Sequence, residues 1–305
     1  MKEEKDLFGE DTARFCIGGH FIDLCKINVK RLEELLPSFA PFRCAFSEVG
    51  EAITSLEVVT SPIVVDCVSS KTLSTISEVL GFSFRLMENA DNYIVEIQFV
   101  ENAPLHRMVC DKCFTSSRAY IDCNDLFAGN VLTSFLMFAF AQSAVLHQTF
   151  LIHASAVEKQ GEAYAFLGKS GTGKSTHSAL WLRYLDGVEL LNDDNPAIRI
   201  EDDGQIYIYG TPWSGKTPCY KNRKLPLKAL VRLEQSLHNS FFRQDGLKAM
   251  LTLLPSCSSM RWNSRLYSTL CDLLETVVRQ LPIACLQCRP DREAALLCYN
   301  EIIKN

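Results

Sequence analysis

Between about residues 14 and 123 the chain steps between apolar and polar positions in short runs. RFCIGGHFIDLCKI reads as a strand, a Gly-Gly turn and a second strand. FSFRLMENADNYIVEIQFV repeats that pattern around turn-forming residues 88–92. RMVCDKCF and SSRAYIDC predict a further pair. Between these runs, VSSKTLSTISEVLGF has Ser/Thr caps, helical spacing and Gly81 as a stop, which predicts a helix.

From about residue 124 the periodicity changes. A long helix over 125–146 leads into strand FLIHASAVE, a Gln160-Gly161 turn and strand AYAFLG. THSALWLRYLDG follows as a helix with Leu180, Trp181, Tyr184 and Leu185 on one face and Gly187 at its end. VELLNDDNPAIRI is a strand reaching Asp193 and Asp194, EDDG a turn, and QIYIYG and KLPLKALVRLEQ are strands. LKAMLTLLPSC and SRLYSTLCDLLETVVRQLP predict helices, PIACLQCR a strand and PDREAALLCYNEIIKN a closing helix. This alternation predicts an α/β domain with both sheet faces covered, over 126–305, preceded by a smaller α+β domain over 1–125. No internal repeat or low-complexity linker interrupts the chain.

Composition narrows the classes. A length of 305 residues accommodates two domains. With 47% hydrophobic and 22% charged residues, a folded globular chain is expected. The net charge of -5 supplies neither a nucleic-acid footprint nor a polybasic membrane patch. The run NVLTSFLMFAFAQSAVLHQTFLIHASAV is broken by Gln142, Ser143, His147 and His153, so it reads as a buried helix and strand instead of a membrane span. The 13 cysteines follow a charged N-terminus without an apolar leader, which predicts free thiols and a cytoplasmic location. Cys110/Cys113 and Cys285/Cys288 form CxxC pairs. Strand alternation in IACLQC sends positions i and i+3 to opposite faces, which argues against a shared zinc site.

Two octets, GKSGTGKS at 168–175 and GTPWSGKT at 210–217, match the phosphate-loop pattern G-x-x-x-x-G-K-[ST]. Such a loop needs converging backbone N–H groups and a helix starting directly after it. The first octet has a strand before it and a helix-forming segment after it. In the second, Pro212 lacks an N–H and Pro218 turns Thr217 away from helical geometry. Only the first is therefore read as a phosphate cradle. Lys174 would pair with the β- and γ-phosphates and Ser175 would place its hydroxyl on Mg²⁺. Amides from Ser170 through Gly171, Thr172, Gly173 and Thr176 would hold the β-phosphate. Ser170 and Thr172 help the turn, Lys169 is either a solvated lysine or a phosphate contact, and His177 is an exposed residue on the first helical turn.

Asp193 and Asp194 end the strand after the phosphate-loop helix, where a phosphoryl-transfer enzyme places its metal-binding carboxylate. One would hold Mg²⁺ and the other would take a proton from an attacking hydroxyl. His153 lies on the strand one hairpin earlier, beside the same sheet edge. A plain turn for the aspartates and a core role for the histidine are the structural alternatives.

IHASAVEKQGEAYAFLGKSGTGKST followed by LLNDDNPAI resembles the HPr kinase/phosphorylase and phosphoenolpyruvate carboxykinase superfamily, chiefly over residues 130–305. GTPWSGK, LKALVRLEQ and LQCRPDREAA resemble the HPr-kinase-like proteins of bacteria. The resemblance implies a carboxykinase-type P-loop core, ATP with Mg²⁺, and phosphoryl transfer to a hydroxyl. It makes Asp193 the general base, Asp194 with Ser175 the metal residues, and His153 the group tuning the acidic pair. It also makes 212–216 an active-site loop, with Lys216 reaching the γ-phosphate or acceptor and Trp213 as a platform; Lys221, Asn222 and Arg223 would extend a basic rim. Thr176 stands where HPr kinases usually have Glu, and their later Gly-rich signature is not recognisable, so HPr itself does not carry over as the acceptor.

The expectation is thus a cytoplasmic ATP- and Mg²⁺-dependent kinase acting on a protein, peptide or small molecule such as free serine. Its N-terminal domain would recruit the acceptor, and a homo-oligomer is compatible with the resemblance. A catalytically silent nucleotide-binding regulatory module is the alternative, and a carboxykinase-like lyase a third.

Overall fold

The computed structural model describes residues 7–45, 48, 50–65, 69–77, 82–215 and 217–304. They form two compact α/β units: 7–147 with 261–263, and 148–260 with 264–304.

The first unit is built on β1 (Phe8–Ile17), β2 (His20–Ile27), β3 (Arg43–Cys44), β4 (Ala52–Val59), β5 (Lys71–Ser77), β6 (Ser83–Glu88), β7 (Asn92–Gln98), β8 (His106–Asp111) and β9 (Ser116–Tyr120). These make one sheet in the order β3-β1-β2-β4-β9-β8-β7-β6-β5. Gly18 and Gly19, with φ of +60° and +75°, close the β1–β2 hairpin where the Gly-Gly pair predicts it. The short helix α1 (Leu32–Leu35) and the longer α2 (Ala128–Ser143) complete this unit. Ala128–His147 is long and apolar enough to cross a bilayer by composition, yet it is largely buried, with Val131, Leu132, Phe135 and Leu136 all inaccessible.

Two expectations are corrected here. The segment predicted as a helix around residue 72 is strand β5, paired antiparallel with β6; Gly81 lies outside the described residues. The long helix also packs on β4 and β8, so it belongs with the first unit, and the division falls after 147 instead of 125.

The second unit contains β10 (Thr149–Leu151), β11 (Ala154–Lys159), β12 (Glu162–Leu167), α3 (Lys174–Tyr184), β13 (Val188–Asp194), β14 (Ala197–Ile200) and β15 (Ile206–Tyr209). It continues through β16 (Lys224–Gln235), β17 (Ser240–Gln244), α4 (Gly246–Leu253), α5 (Ser264–Gln280), β18 (Ile283–Cys288) and α6 (Arg292–Ile303). β12, β16 and β18 run parallel, flanked by antiparallel β11 and β13 on one side and β17 on the other. The N-terminal end of β16 also pairs with β15, extending the sheet through β14 to β10.

Alternate residues of these strands, including Tyr164, Phe166, Val231 and Leu286, meet α3 and α6 in a core around Trp181. Trp181 is fully buried, with ring centroids 5.2 Å from Tyr164 and 5.1 Å from Phe166. Removing its side chain would cost about 3–5 kcal/mol. Because α3 is anchored this way, its first turn is held rigidly at the end of β12.

Candidate active site

Residues 168–173 carry the chain from β12 into α3. Gly168, Gly171 and Gly173 have φ of +150°, +81° and +100°, values that side chains with a Cβ rarely adopt. At Gly168 a Cβ would also lie 2.4 Å from Thr172 Oγ1. That hydroxyl donates to Lys169 O at 2.7 Å, closing the turn, and Gln235 Nε2 donates to Gly171 O at 3.2 Å. Ser170, Ser175 and Thr176 are exposed at the mouth.

The N–H of His177 bonds Gly173 O at 2.8 Å. The preceding amides of Lys174, Ser175 and Thr176 have no acceptor within the helix, as at any helix start. With the positive end of the α3 dipole behind them, they suit an anion.

Lys174 is buried, and its ammonium donates to Gly168 O at 3.0 Å, to Lys169 O at 3.4 Å and to His153 Nε2 at 2.9 Å. Burial lowers its pKa from the usual 10.5, against the opposing charges of Asp194 and Asp193. Since His153 Nε2 accepts, the ring proton lies on Nδ1, which faces Asp194 Oδ1 at 2.9 Å. The result is a chain of contacts, Lys174–His153–Asp194, from the glycine loop to the acidic pair.

Strand pairing explains why the chain closes. FLIHASAVE, predicted as one strand, divides at Ile152 and His153: β10 pairs with β14, while β11 pairs with β12 and β13. Ala154 sits opposite Asp194 and Ser155 opposite Asp193. His153 therefore emerges at the break, held by its N–H to Ser256 O at 2.7 Å.

Asp193 is 6% exposed, and neither carboxylate oxygen has a hydrogen-bond partner among the described residues. A buried anion without donors is costly, and a cation or a proton relieves the cost. Asp194 is different: its second oxygen accepts from Asn195 Nδ2 at 2.8 Å.

Asn192, a residue that motif reasoning passed over, organises the rest. Its Oδ1 accepts from the N–H groups of Asp194 and Asn195 at 3.0 and 3.1 Å, while its Nδ2 donates to Thr211 O and Oγ1, both at 3.2 Å. Gly215 N–H donates to Asp193 O at 3.2 Å. The second octet is thereby fastened to the end of β13. The signal was in the sequence, since an amide beside two aspartates and opposite a Thr-Pro turn can hold both.

Three expectations around the site are corrected. Trp213 is 3% exposed and offers no platform. His177 is also buried, accepting from Trp181 Nε1 at 3.1 Å, with its pKa pushed down to about 4 by burial. Lys221 and Arg223 form no open basic rim, because they pair with Glu189 and Glu158 at 3.0 and 2.7 Å. Lys216 lies outside the described residues.

No protein-family model matches the chain, and no curated protein matches it either. Among solved structures, the HPr(Ser) kinase/phosphatase from Coxiella burnetii is similar over 49% of this chain and 86% of its own, at 16% identity. The TM-score is 0.27, too low to define a shared fold.

Proposed function

We propose that the second unit is an ATP- and Mg²⁺-dependent kinase that transfers a phosphoryl group to a hydroxyl. The observation that carries this reading is the Lys174–His153–Asp194 chain, which joins a glycine loop opening a helix to a paired carboxylate. This reading agrees with the resemblance to HPr-kinase-like proteins drawn from IHASAVEKQGEAYAFLGKSGTGKST and LLNDDNPAI.

In this reading the loop amides and the α3 dipole hold the phosphates, and Lys174 exchanges a carbonyl contact for a phosphate oxygen. Ser175 and Asp194 would hold Mg²⁺, which supplies charge neutralisation between the phosphates when bound. The acceptor hydroxyl attacks the γ-phosphorus, the bond to the β-phosphate oxygen breaks, ADP leaves, and the hydroxyl proton passes to Asp193. Neither Asp193 carboxylate oxygen is hydrogen-bonded among the described residues, so both are open to that proton. His153 positions Asp194, and Lys216 is assigned to the transferring phosphoryl group.

The test is incubation with γ-labelled ATP and Mg²⁺, offering free serine, serine-containing peptides and proteins, with ATP binding followed by calorimetry. Label on a hydroxyl acceptor, lost in Lys174→Ala, supports the kinase. No heat with ATP and Mg²⁺ sinks it. ATP binding with no transfer to any acceptor turns the reading to a silent regulatory module.

A further inference from the structure

The carboxyl ends of parallel strands β16 and β18 and the first turns of α3 frame a cleft of about 490 Å³. Crevices at this end of open α/β sheets are where ligands bind, and the volume lies in the ~300–1,000 Å³ range of small-molecule sites. Gly171, Gly173 and Thr176 form one border, so the cleft is continuous with the phosphate loop. Leu180, Leu233, Cys288 and Pro290 give it apolar walls.

One buried polar side chain stands among them. His177, 3% exposed, lines the cleft and accepts the Trp181 Nε1–H at its own Nε2. Its proton therefore sits on Nδ1, from which no hydrogen bond is made among the described residues. Its ring packs edge-on against Phe166, with centroids 4.7 Å apart, which fixes its direction. Arg289, also on the border, is paired with Asp291 at 2.9 Å and Glu293 at 3.3 Å, so its charge is already engaged.

We infer that this cleft seats the nucleoside of the bound nucleotide, its heteroaromatic base between the apolar walls and one base acceptor facing the Nδ1–H of His177. This rests on reading 168–175 as the phosphate cradle. A flat base suits apolar walls that continue from the loop, whereas a second anion would meet an arginine already paired with Asp291 and Glu293. The cleft thus adds recognition of the base to a cradle that senses only phosphate.

Because His177 also supports Trp181, its replacement endangers the fold, and the test uses Leu180→Trp, a half-buried position whose larger ring fills the cleft. Calorimetry compares ATP with inorganic tripolyphosphate, both with Mg²⁺. Wild type should bind ATP roughly tenfold or more tighter than tripolyphosphate, from burial of the base. Leu180→Trp should abolish that difference and leave tripolyphosphate unchanged. Equal affinities in wild type, or an unaffected ATP affinity in Leu180→Trp, overturn the inference while the cradle stands. If neither ligand binds, the cradle fails and the inference with it. ATP analogues with single ring nitrogens replaced by C–H test the donor: one should bind about fivefold or more weaker, and uniform binding across the series removes His177 from the proposal.

Discussion

The octet at 168–175 leaves β12 and starts α3, whereas the octet at 210–217 leaves β15 and lies along the end of β13. In the first, Gly171 and Gly173 supply positive φ, and an added Cβ would meet almost nothing. In the second, Gly210 and Gly215 supply closeness: a Cβ would lie 2.0 Å from Lys221 O and 2.8 Å from Asp193 O. One loop opens a helix whose first amides have no intrahelical acceptor, and the other uses Gly215 N–H on the strand. The same spelling therefore opens a helix in one place and fastens a loop to a strand in the other.

The largest expected effects break the first octet's chemistry and leave the second octet's fastening intact. Lys174→Ala and Asp193→Asn should each reduce label transfer on the order of 10²–10⁴-fold. Transfer unchanged in Asp193→Asn would remove this residue as the base.

Next in size is an acid effect on the support of the first octet. The imidazole of His177 falls from the usual 6.5 to about 4 in the folded chain. Above pH 6.5 it is neutral in both states, and its contribution is complete. As the pH drops toward 4 the unfolded chain takes up the proton first, so stability is lost, by about 3 kcal/mol in all. Urea unfolding between pH 7 and 4.5 should show this slope in wild type and a shallower one in His177→Asn. Equal slopes would mean that the ring is not held neutral.

The second octet's support is Asn192. Asn192→Ala leaves two backbone N–H groups and the Thr211 carbonyl without that amide, and should cost about 2 kcal/mol by urea unfolding. An unchanged midpoint would show that Gly215 and the Asp194–Ser214 bridge suffice to hold the loop.

How much of this was legible follows from what each segment's neighbours are. The hairpins announced themselves, because Gly18-Gly19 and the turn at 88–92 are local signals. β5 did not: KTLSTIS is an edge strand with little burial, so Leu73 and Ile76 imitate helical spacing and no alternation is imposed. β17, five residues of SFFRQ, was too short and exposed to register. At the site, the glycine loop and the Asp pair could be found by spelling. The burial of His177 could not, since it depends on Trp181 and Phe166 arriving from one turn away and from β12. The break at His153 likewise depends on β10 and β11 choosing different partners.

The smallest effect addresses the comparison most directly, because Ser175 and Thr217 occupy the same position of the two octets. Ser175 is exposed on the first turn of α3, beside amides that the helix leaves open. Thr217 follows a residue outside the described set, and its backbone O accepts from Ser214 Oγ at 2.7 Å, a bond that closes the turn without using the Thr217 side chain. In the proposed reading, removing the Ser175 hydroxyl takes away a ligand for Mg²⁺, while no side-chain hydrogen bond of Ser175 shapes the loop among the described residues. Ser175→Ala should therefore weaken ATP binding about tenfold in the presence of Mg²⁺ and leave it unchanged when Mg²⁺ is chelated. Thr217→Ala should leave ATP affinity within about twofold under both conditions. Calorimetry with and without a chelator reads both variants in one design. A Mg²⁺-dependent loss in Thr217→Ala, with none in Ser175→Ala, would reverse the assignment of the two octets, since the hydroxyl would then act where no helix begins.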